Sequence, residues 1–133
     1  MRSTKQIFHL AIPCVDLDEA EYFYTQVLGC RLARRYDDRI TLDFFGDQVV
    51  CHLAPDKIDT NPEMYPRHFG ITFLDSANFD TVLERARLNG ASLFSNLDVR
   101  FDGLRERHQT FALIDPSNNI LEFKNYDDSE MIY

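Results

Sequence analysis

Apolar and polar residues alternate along "IFHLAIP", residues 7–13, so that Phe8, Leu10 and Ile12 share one face of an extended segment while His9 and Ala11 take the other. The stretch "PRHFGITF", residues 66–73, repeats the pattern. Phe69, Ile71 and Phe73 share a face, and His68 lies opposite with Gly70 and Thr72, the smallest side chains in the run. Two apolar strands thus each turn an imidazole away from their greasy side. After the first strand the period changes from 2 to 3.6. Asp16 reads as a helix N-cap with Glu19 three residues on, and Gly29 as the C-cap. Leu17, Ala20, Tyr24, Val27 and Leu28, widened by Phe23, form the buried stripe between them. Three strands are predicted next, about "RLARRYD", "RITLDFF" and "QVVCHLA", with turns at Asp37 and Asp38 and at Gly46 and Asp47.

The following stretch, "APDKIDTNPEMYPR", carries three prolines and keeps neither period, so it reads as a linker. Then the plan restarts. The strand "HFGITF" leads into a helix predicted over residues 78–88, with Phe79, Val82, Leu83 and Ala86 inward and Gly90 as its cap. Strands near "SLFS", "QTFALID" and "NILEFKN" complete it, the last two joined by the turn "DPSNN". His9 precedes Gly29 by 20 residues and His68 precedes Gly90 by 22, a spacing that marks an internal repeat. The prediction is an α+β fold in one domain of two β-α-β-β-β modules: residues 1–57, a linker at 58–66, and residues 67–133.

A chain of 133 residues is long enough to bury a core, and its formal net charge of −8 disfavours nucleic acid as a partner. No apolar run approaches the roughly 20 residues that cross a bilayer. The opening "MRSTKQIFHLAIP" leads into the first strand without a cleavage site, so the expected location is the cytoplasm. Cys14, Cys30 and Cys51 are odd in number and lie in or beside apolar segments, which suits reduced, packed thiols.

Alternation in "NILEFKN" places Glu122 opposite Leu121 and Phe123, on the face of Ile120 and Lys124. In "QVVCHLA", His52 takes what reads as the corresponding place between Cys51 and Leu53. The first and last strands of both modules therefore send a metal-capable side chain away from the helix-covered face: His9 and His52, His68 and Glu122. Any one of them is explained as a polar group on a solvated strand face. The set is more specific, because three of the chain's four histidines share these slots with a carboxylate. Such a set supplies neutral nitrogens and an anionic oxygen to one divalent cation.

The segments "FHLAIPCVDLDEAEYFYTQVLGC", "RHFGITF" and "DPSNNILEFK" resemble the vicinal oxygen chelate superfamily, which includes glyoxalase I, extradiol dioxygenases, fosfomycin-modifying enzymes and bleomycin-resistance proteins. The likeness spans nearly the whole chain and is greatest to small two-module proteins described as glyoxalase-like or as predicted extradiol-type dioxygenases. The resemblance implies paired modules forming a cup-shaped mixed sheet with helices on its outer face. It implies a small-molecule substrate that chelates a divalent metal through two adjacent oxygens, and a homodimer. Carried over by position, His9, His68 and Glu122 match the metal-binding triad. His52 matches the slot that supplies a further ligand in glyoxalase I, or else it lines the cup beside the metal. Fe(II) is the first expectation for the ion, with Mn, Ni, Co or Zn as others. Two imidazoles and one carboxylate leave adjacent coordination positions open for a bidentate substrate, or for a substrate and dioxygen. A fourth ligand would turn the expectation toward Lewis-acid chemistry.

Extradiol enzymes, as that family is known, carry an acid-base tyrosine ten residues before the glutamate and a glycine or proline soon after the "DP"; here those places hold Ala112 and Asn118. Candidates for a general acid or base are therefore His108, Tyr126 and Tyr65. His108, in "RERHQ" at a strand edge, is expected at the surface, and Tyr126 is open to a packing role. Arg34, Arg35, Arg105 and Arg107 could line a rim for glutathione carboxylates but read as solvated surface. The expected activity is that of a metal-dependent, dioxygenase-like oxidoreductase. A glyoxalase-like lyase or isomerase is the alternative enzyme, and a bleomycin-resistance-type binding cup the non-catalytic one. The latter would call for aromatic walls, for which Phe44, Phe45, Phe101 and Phe111 are the candidates. Loop residues 97–107 are expected to decide the substrate.

Overall fold

The computed structural model describes residues 4–133. They divide into two compact units, the chain up to Thr60 with Pro116–Asn119, and Asn61–Asp115 with Ile120–Tyr133. The first unit holds β1 (His9–Cys14), α1 (Leu17–Tyr22), β2 (Arg31–Arg35), β3 (Arg39–Phe44) and β4 (Asp47–Leu53). Its sheet runs β1-β4-β3-β2, with β1 parallel to β4 and the other pairs antiparallel. The second unit holds β5 (Phe69–Phe73), α2 (Ser76–Leu88), β6 (Leu93–Arg100), β7 (His108–Ile114) and β8 (Ile120–Tyr126). Its order, β5-β8-β7-β6, has the same mixture of one parallel and two antiparallel pairs. Each unit is thus a β-α-β-β-β module, as the sequence pattern predicts.

The helical stripes are buried as their spacing requires. Leu17, Ala20, Phe23, Tyr24, Val27 and Leu28 are all buried in the first unit, and Phe79, Val82, Leu83 and Ala86 in the second. Asp16 caps α1 by accepting from the Glu19 amide at 2.8 Å. The first helix is not one continuous α-helix up to Gly29, however. From Phe23 to Val27 it widens into a π turn, with the Leu28 amide donating to the Phe23 carbonyl five residues back at 3.0 Å. The extra residue in that turn lets both Phe23 and Tyr24 face inward beside Val27 and Leu28. The second helix starts at Ser76, two residues before the sequence-based boundary, because Asp75 accepts from the Asn78 amide at 3.0 Å. That cap lacks the glutamate three residues on that marks Asp16.

Two further elements differ from expectation for identifiable reasons. The β3–β4 turn centres on Phe45 and Gly46, with φ of 53° and 92°, one residue earlier than predicted; Asp43 Oδ1 accepts from the Gly46 amide at 2.9 Å. Strand β6 is twice as long as "SLFS", and two register shifts break its alternation, so its period cannot be read from sequence. Residues 97–100 consequently belong to a strand rather than to a loop. The turn Pro116–Asn119 is bonded to the first unit: Ser117 Oγ accepts from the Val15 amide at 2.9 Å, while Asn119 and Asn118 donate to the Pro13 and Asp59 carbonyls, each at 3.0 Å. No helix among the described residues is long and apolar enough to cross a membrane.

Candidate metal centre

Register places the candidate ligands. Both histidines stand seven residues before a helix-capping aspartate, His9 before Asp16 and His68 before Asp75, so they occupy matching positions in the two modules. In the second unit Gly70, two residues past His68, pairs with Glu122 across the parallel β5–β8 ladder. In the first unit Ala11, two residues past His9, pairs with Val50. The place that Glu122 takes is therefore filled by Val50, and His52, paired with Pro13, lies two residues further along. This corrects the matching of His52 to Glu122: its counterpart in the second unit is Lys124, paired with Thr72. His52 is exposed, and its ring makes no hydrogen bond among the described residues.

Each of the other two imidazoles has one nitrogen engaged. His68 Nδ1 lies 2.6 Å from the Met64 carbonyl oxygen, which can only accept, so Nδ1 donates and Nε2 is the nitrogen left over. His9 Nδ1 is 2.6 Å from Gln48 Oε1, its partner across the β1–β4 ladder, so the same ring nitrogen is engaged. An acceptor on the far nitrogen orients a metal-binding histidine and raises its basicity. Tyr65 stands edge-on to the His68 ring, with centroids 5.6 Å apart.

Glu122 is buried, only 9% exposed, although it carries a charge. Lys124, two residues on and therefore on the same face of β8, places Nζ 3.1 Å from Glu122 Oε1. Oε2 has no hydrogen-bond partner among the described residues. Glu122 borders a cavity of about 400 Å³ whose walls include Tyr65, Ser95, Asn96, Arg100 and Thr110. The Thr110 hydroxyl has no hydrogen-bond partner among the described residues. Nε2 lone pairs and a carboxylate oxygen left open are the donors that a divalent ion takes, so the chemistry of these residues suits one.

The first unit holds His9 and His52, the second His68 and Glu122. Among the described residues, no group of three or more His, Cys, Asp and Glu side chains is gathered so as to hold a metal ion.

Of the three acid-base candidates, Tyr65 borders the cavity with Glu122. His108 is not at the surface as expected: it is 6% exposed, stacks on Tyr126 at 4.4 Å between centroids, and has Nδ1 3.1 Å from the Glu106 carbonyl. His108 and Tyr126 are cross-strand partners, four residues along the ladder from the Ala112–Glu122 pair. Ala112 is completely buried. Three of the four rim arginines are tied to carboxylates. Arg35 binds Glu21 and Asp18, Arg105 binds Asp128 and Glu130, and Arg107 binds Asp127 and Asp102; these bonds hold all three guanidiniums more firmly protonated than usual. Phe44 and Phe111 lie in the core rather than on an aromatic wall. The sequence reading passed over Gln48, Lys124 and Thr110. Alternation in "LEFK" already put Lys124 on the face of Glu122, but the other two needed the strand register.

Residues 6–123 match the family model of the Glyoxalase/Bleomycin resistance protein/Dioxygenase superfamily. The chain belongs to that superfamily. It is 59% identical, over the full length of both chains and with a TM-score of 0.95, to a glyoxalase/bleomycin resistance protein/dioxygenase from Alicyclobacillus acidocaldarius. Two more distant structures share the fold. The fosfomycin resistance protein FosX from Listeria monocytogenes is 15% identical, with a TM-score of 0.73, over 99% of this chain and 100% of that one. A lactoylglutathione lyase from Agrobacterium tumefaciens is 16% identical, with a TM-score of 0.67, over 93% and 96%. A comparison with curated proteins gave no match. The superfamily embraces more than one activity, so membership gives the chelate fold and leaves the reaction to the site.

Proposed function

We propose that the chain is a metal-dependent enzyme of the vicinal oxygen chelate type, in which His9, His68 and Glu122 hold one divalent ion and a small substrate binds through two adjacent oxygens. The observation that carries this is the pairing of donors. Two matching histidines each have Nδ1 engaged by a neighbouring residue and Nε2 left over, and a buried glutamate keeps one oxygen open. The ion would supply Lewis-acid polarisation of the two substrate oxygens and, if it is iron(II), the electron chemistry of dioxygen use. The protein's own part is to orient: Gln48 and Met64 hold the rings, Lys124 offsets the buried carboxylate's charge while no ion is bound, and the cavity beside Glu122 admits the substrate. Tyr65 is the candidate for moving a proton, since it lines that cavity.

Dioxygenase-like chemistry at Fe(II) is the first reading, because Val50 in the fourth slot leaves three ligands and adjacent open positions. A redox-neutral lyase or isomerase using Mn, Ni, Co or Zn is the second. It is favoured by Ala112, a buried methyl group where ring-cleaving relatives carry their proton-moving tyrosine. We read the working form as a cytoplasmic homodimer; the absence of disulfides among the three cysteines suits a reducing compartment. Metal analysis of the purified protein, followed by oxygen uptake with catechols, tests the proposal. A stoichiometric divalent ion with oxygen consumption supports the first reading, and metal without oxygen consumption supports the second. A protein that neither retains nor takes up a divalent ion is a binding cup, and the enzyme reading fails.

A further inference from the structure

The hydroxyl of Thr110 has no use in the fold. Thr110 lies on the middle of β7, paired with Lys124 on one side and Asp98 on the other, and is only 8% exposed. Its Oγ1 is buried with no hydrogen-bond partner, the one buried side-chain oxygen or nitrogen so left among the described residues. A hidden, unpaired hydroxyl costs stability, and valine would fill the same volume without that cost. Native proteins leave few such groups, and those that persist call for an explanation. Thr110 lines the cavity that Glu122 borders through atoms other than the buried Oγ1, and a turn about its Cα–Cβ bond would exchange methyl and hydroxyl and bring Oγ1 to that cavity.

We infer that Thr110 is a specificity-determining residue, whose hydroxyl donates to a third oxygen of the substrate beyond the two that chelate. The inference rests on the metal reading above. Thr110 stands two residues along β7 from Ala112, the partner of Glu122, which separates the two contacts by about 7 Å along the strand. The substrate class is therefore a small molecule with two vicinal oxygens and a carboxylate on a short arm. Arg100 lines the same cavity and supplies a cation for that carboxylate. The opposing charge, Asp98, has Oδ1 occupied by the Val99 amide at 2.8 Å. Ser95 and Asn96 complete the polar wall.

The test uses the full-length protein loaded with zinc, which does not turn catechols over, and two probes: 3,4-dihydroxyphenylacetate and 4-ethylcatechol, which has the chelating pair without the carboxylate. The expected result is that the wild type binds the acid about tenfold more tightly. In Thr110→Val that preference disappears while 4-ethylcatechol binding is unchanged, and Thr110→Ser retains it. Thr110→Val should also melt a few degrees higher without ligand, since it removes the unpaired group. No preference in the wild type, a preference that survives Thr110→Val, or a Thr110→Val protein that melts no higher overturns the inference. Phenylacetate, which has the carboxylate and no chelating pair, separates the two readings. If the wild type takes up no zinc but binds phenylacetate in a Thr110-dependent way, the metal reading fails and the assignment of Thr110 stands. If the wild type takes up no zinc and its phenylacetate binding is absent or indifferent to Thr110→Val, the assignment fails too.

Discussion

Gly70 and Glu122 face each other across the parallel β5–β8 ladder so closely that a Cβ at Gly70 would overlap the Glu122 carbonyl oxygen. The obstacle is backbone, so relief requires the strands themselves to shift. A methyl group there is expected to displace Glu122 as well as to strain the sheet. Gly70→Ala should therefore cost about 2 kcal/mol or more in chemical denaturation, within the range for forced overpacking. It should also lose metal binding even where enough folded protein remains to titrate. Full stability and unchanged metal affinity in this variant would mean that Gly70 does not position Glu122.

His9 is exposed, and its ring is held by a single side chain, Gln48. Removing that acceptor leaves Nδ1 without its partner and the ring free to rotate. Gln48→Leu is expected to lower affinity for zinc or cobalt about 10- to 100-fold, the usual penalty for losing an orienting partner. Unfolding should change by no more than about 0.5 kcal/mol, because the contact is at the surface. A calorimetric titration beside a denaturation curve separates the two effects. Equal affinities for wild type and variant would exclude His9 as an oriented ligand.

How far the sequence could carry this site depended on what each residue needed. His9 and His68 were legible because each interrupts a period-2 apolar run at a matching distance from a capping aspartate. The inward helical residues were legible for the same kind of reason. His52 was placed by alternation alone, and alternation fixes a face but not a position along it. Only the ladder, Ala11 to Val50 against Gly70 to Glu122, reveals that His52 is two residues out of step. Strand β6 was half hidden by its register shifts. His108 read as a surface residue from its place in "RERHQ" at a strand edge, whereas the rings of Tyr126, its partner on β8, and of Phe101 pack against it. The π turn left no trace, because the stripe of apolar residues is compatible with either winding.

The tail that follows β8 is fastened electrostatically. Arg105 Nε donates to Asp128 Oδ2 at 2.7 Å and the Glu130 amide to Asp128 Oδ1 at 3.0 Å, which together hold the Asp128 carboxyl below the usual carboxylate range. A carboxyl whose native pKa is lowered stabilises the fold fully above its unfolded value, near pH 4, and loses that contribution as pH falls through the lowered native value. Hydrogen exchange at Met131, whose amide donates to the Asp128 carbonyl, should therefore accelerate relative to core amides as pH is lowered below about 4. Arg105→Gln should speed Met131 exchange at neutral pH and flatten its further acceleration below pH 4, because the native value then rises toward the unfolded one. The same acid-induced acceleration in Arg105→Gln as in the wild type would show that the guanidinium does not hold the tail.

Lys124 and Glu122 form the one charge pair whose carboxylate is buried among those described, with Glu122 9% and Lys124 32% exposed. Removing one partner of a buried pair leaves the other uncompensated, and the cost here should fall below the fully buried case because the ammonium is a third exposed. Lys124→Met is thus expected to destabilise the metal-free protein by about 1–2 kcal/mol. Metal binding should respond in the opposite sense. An ammonium beside a ligand oxygen repels an incoming dication, so its removal should tighten zinc binding even as it weakens the metal-free fold. Saturating zinc should then recover most of the lost stability, since ligand binding to the native state adds stability in proportion to its affinity and concentration. Melting curves of wild type and Lys124→Met, each with and without zinc, read all four quantities. A variant that loses stability and also binds zinc more weakly would mean that Lys124 aims Glu122 at the metal rather than competing with it.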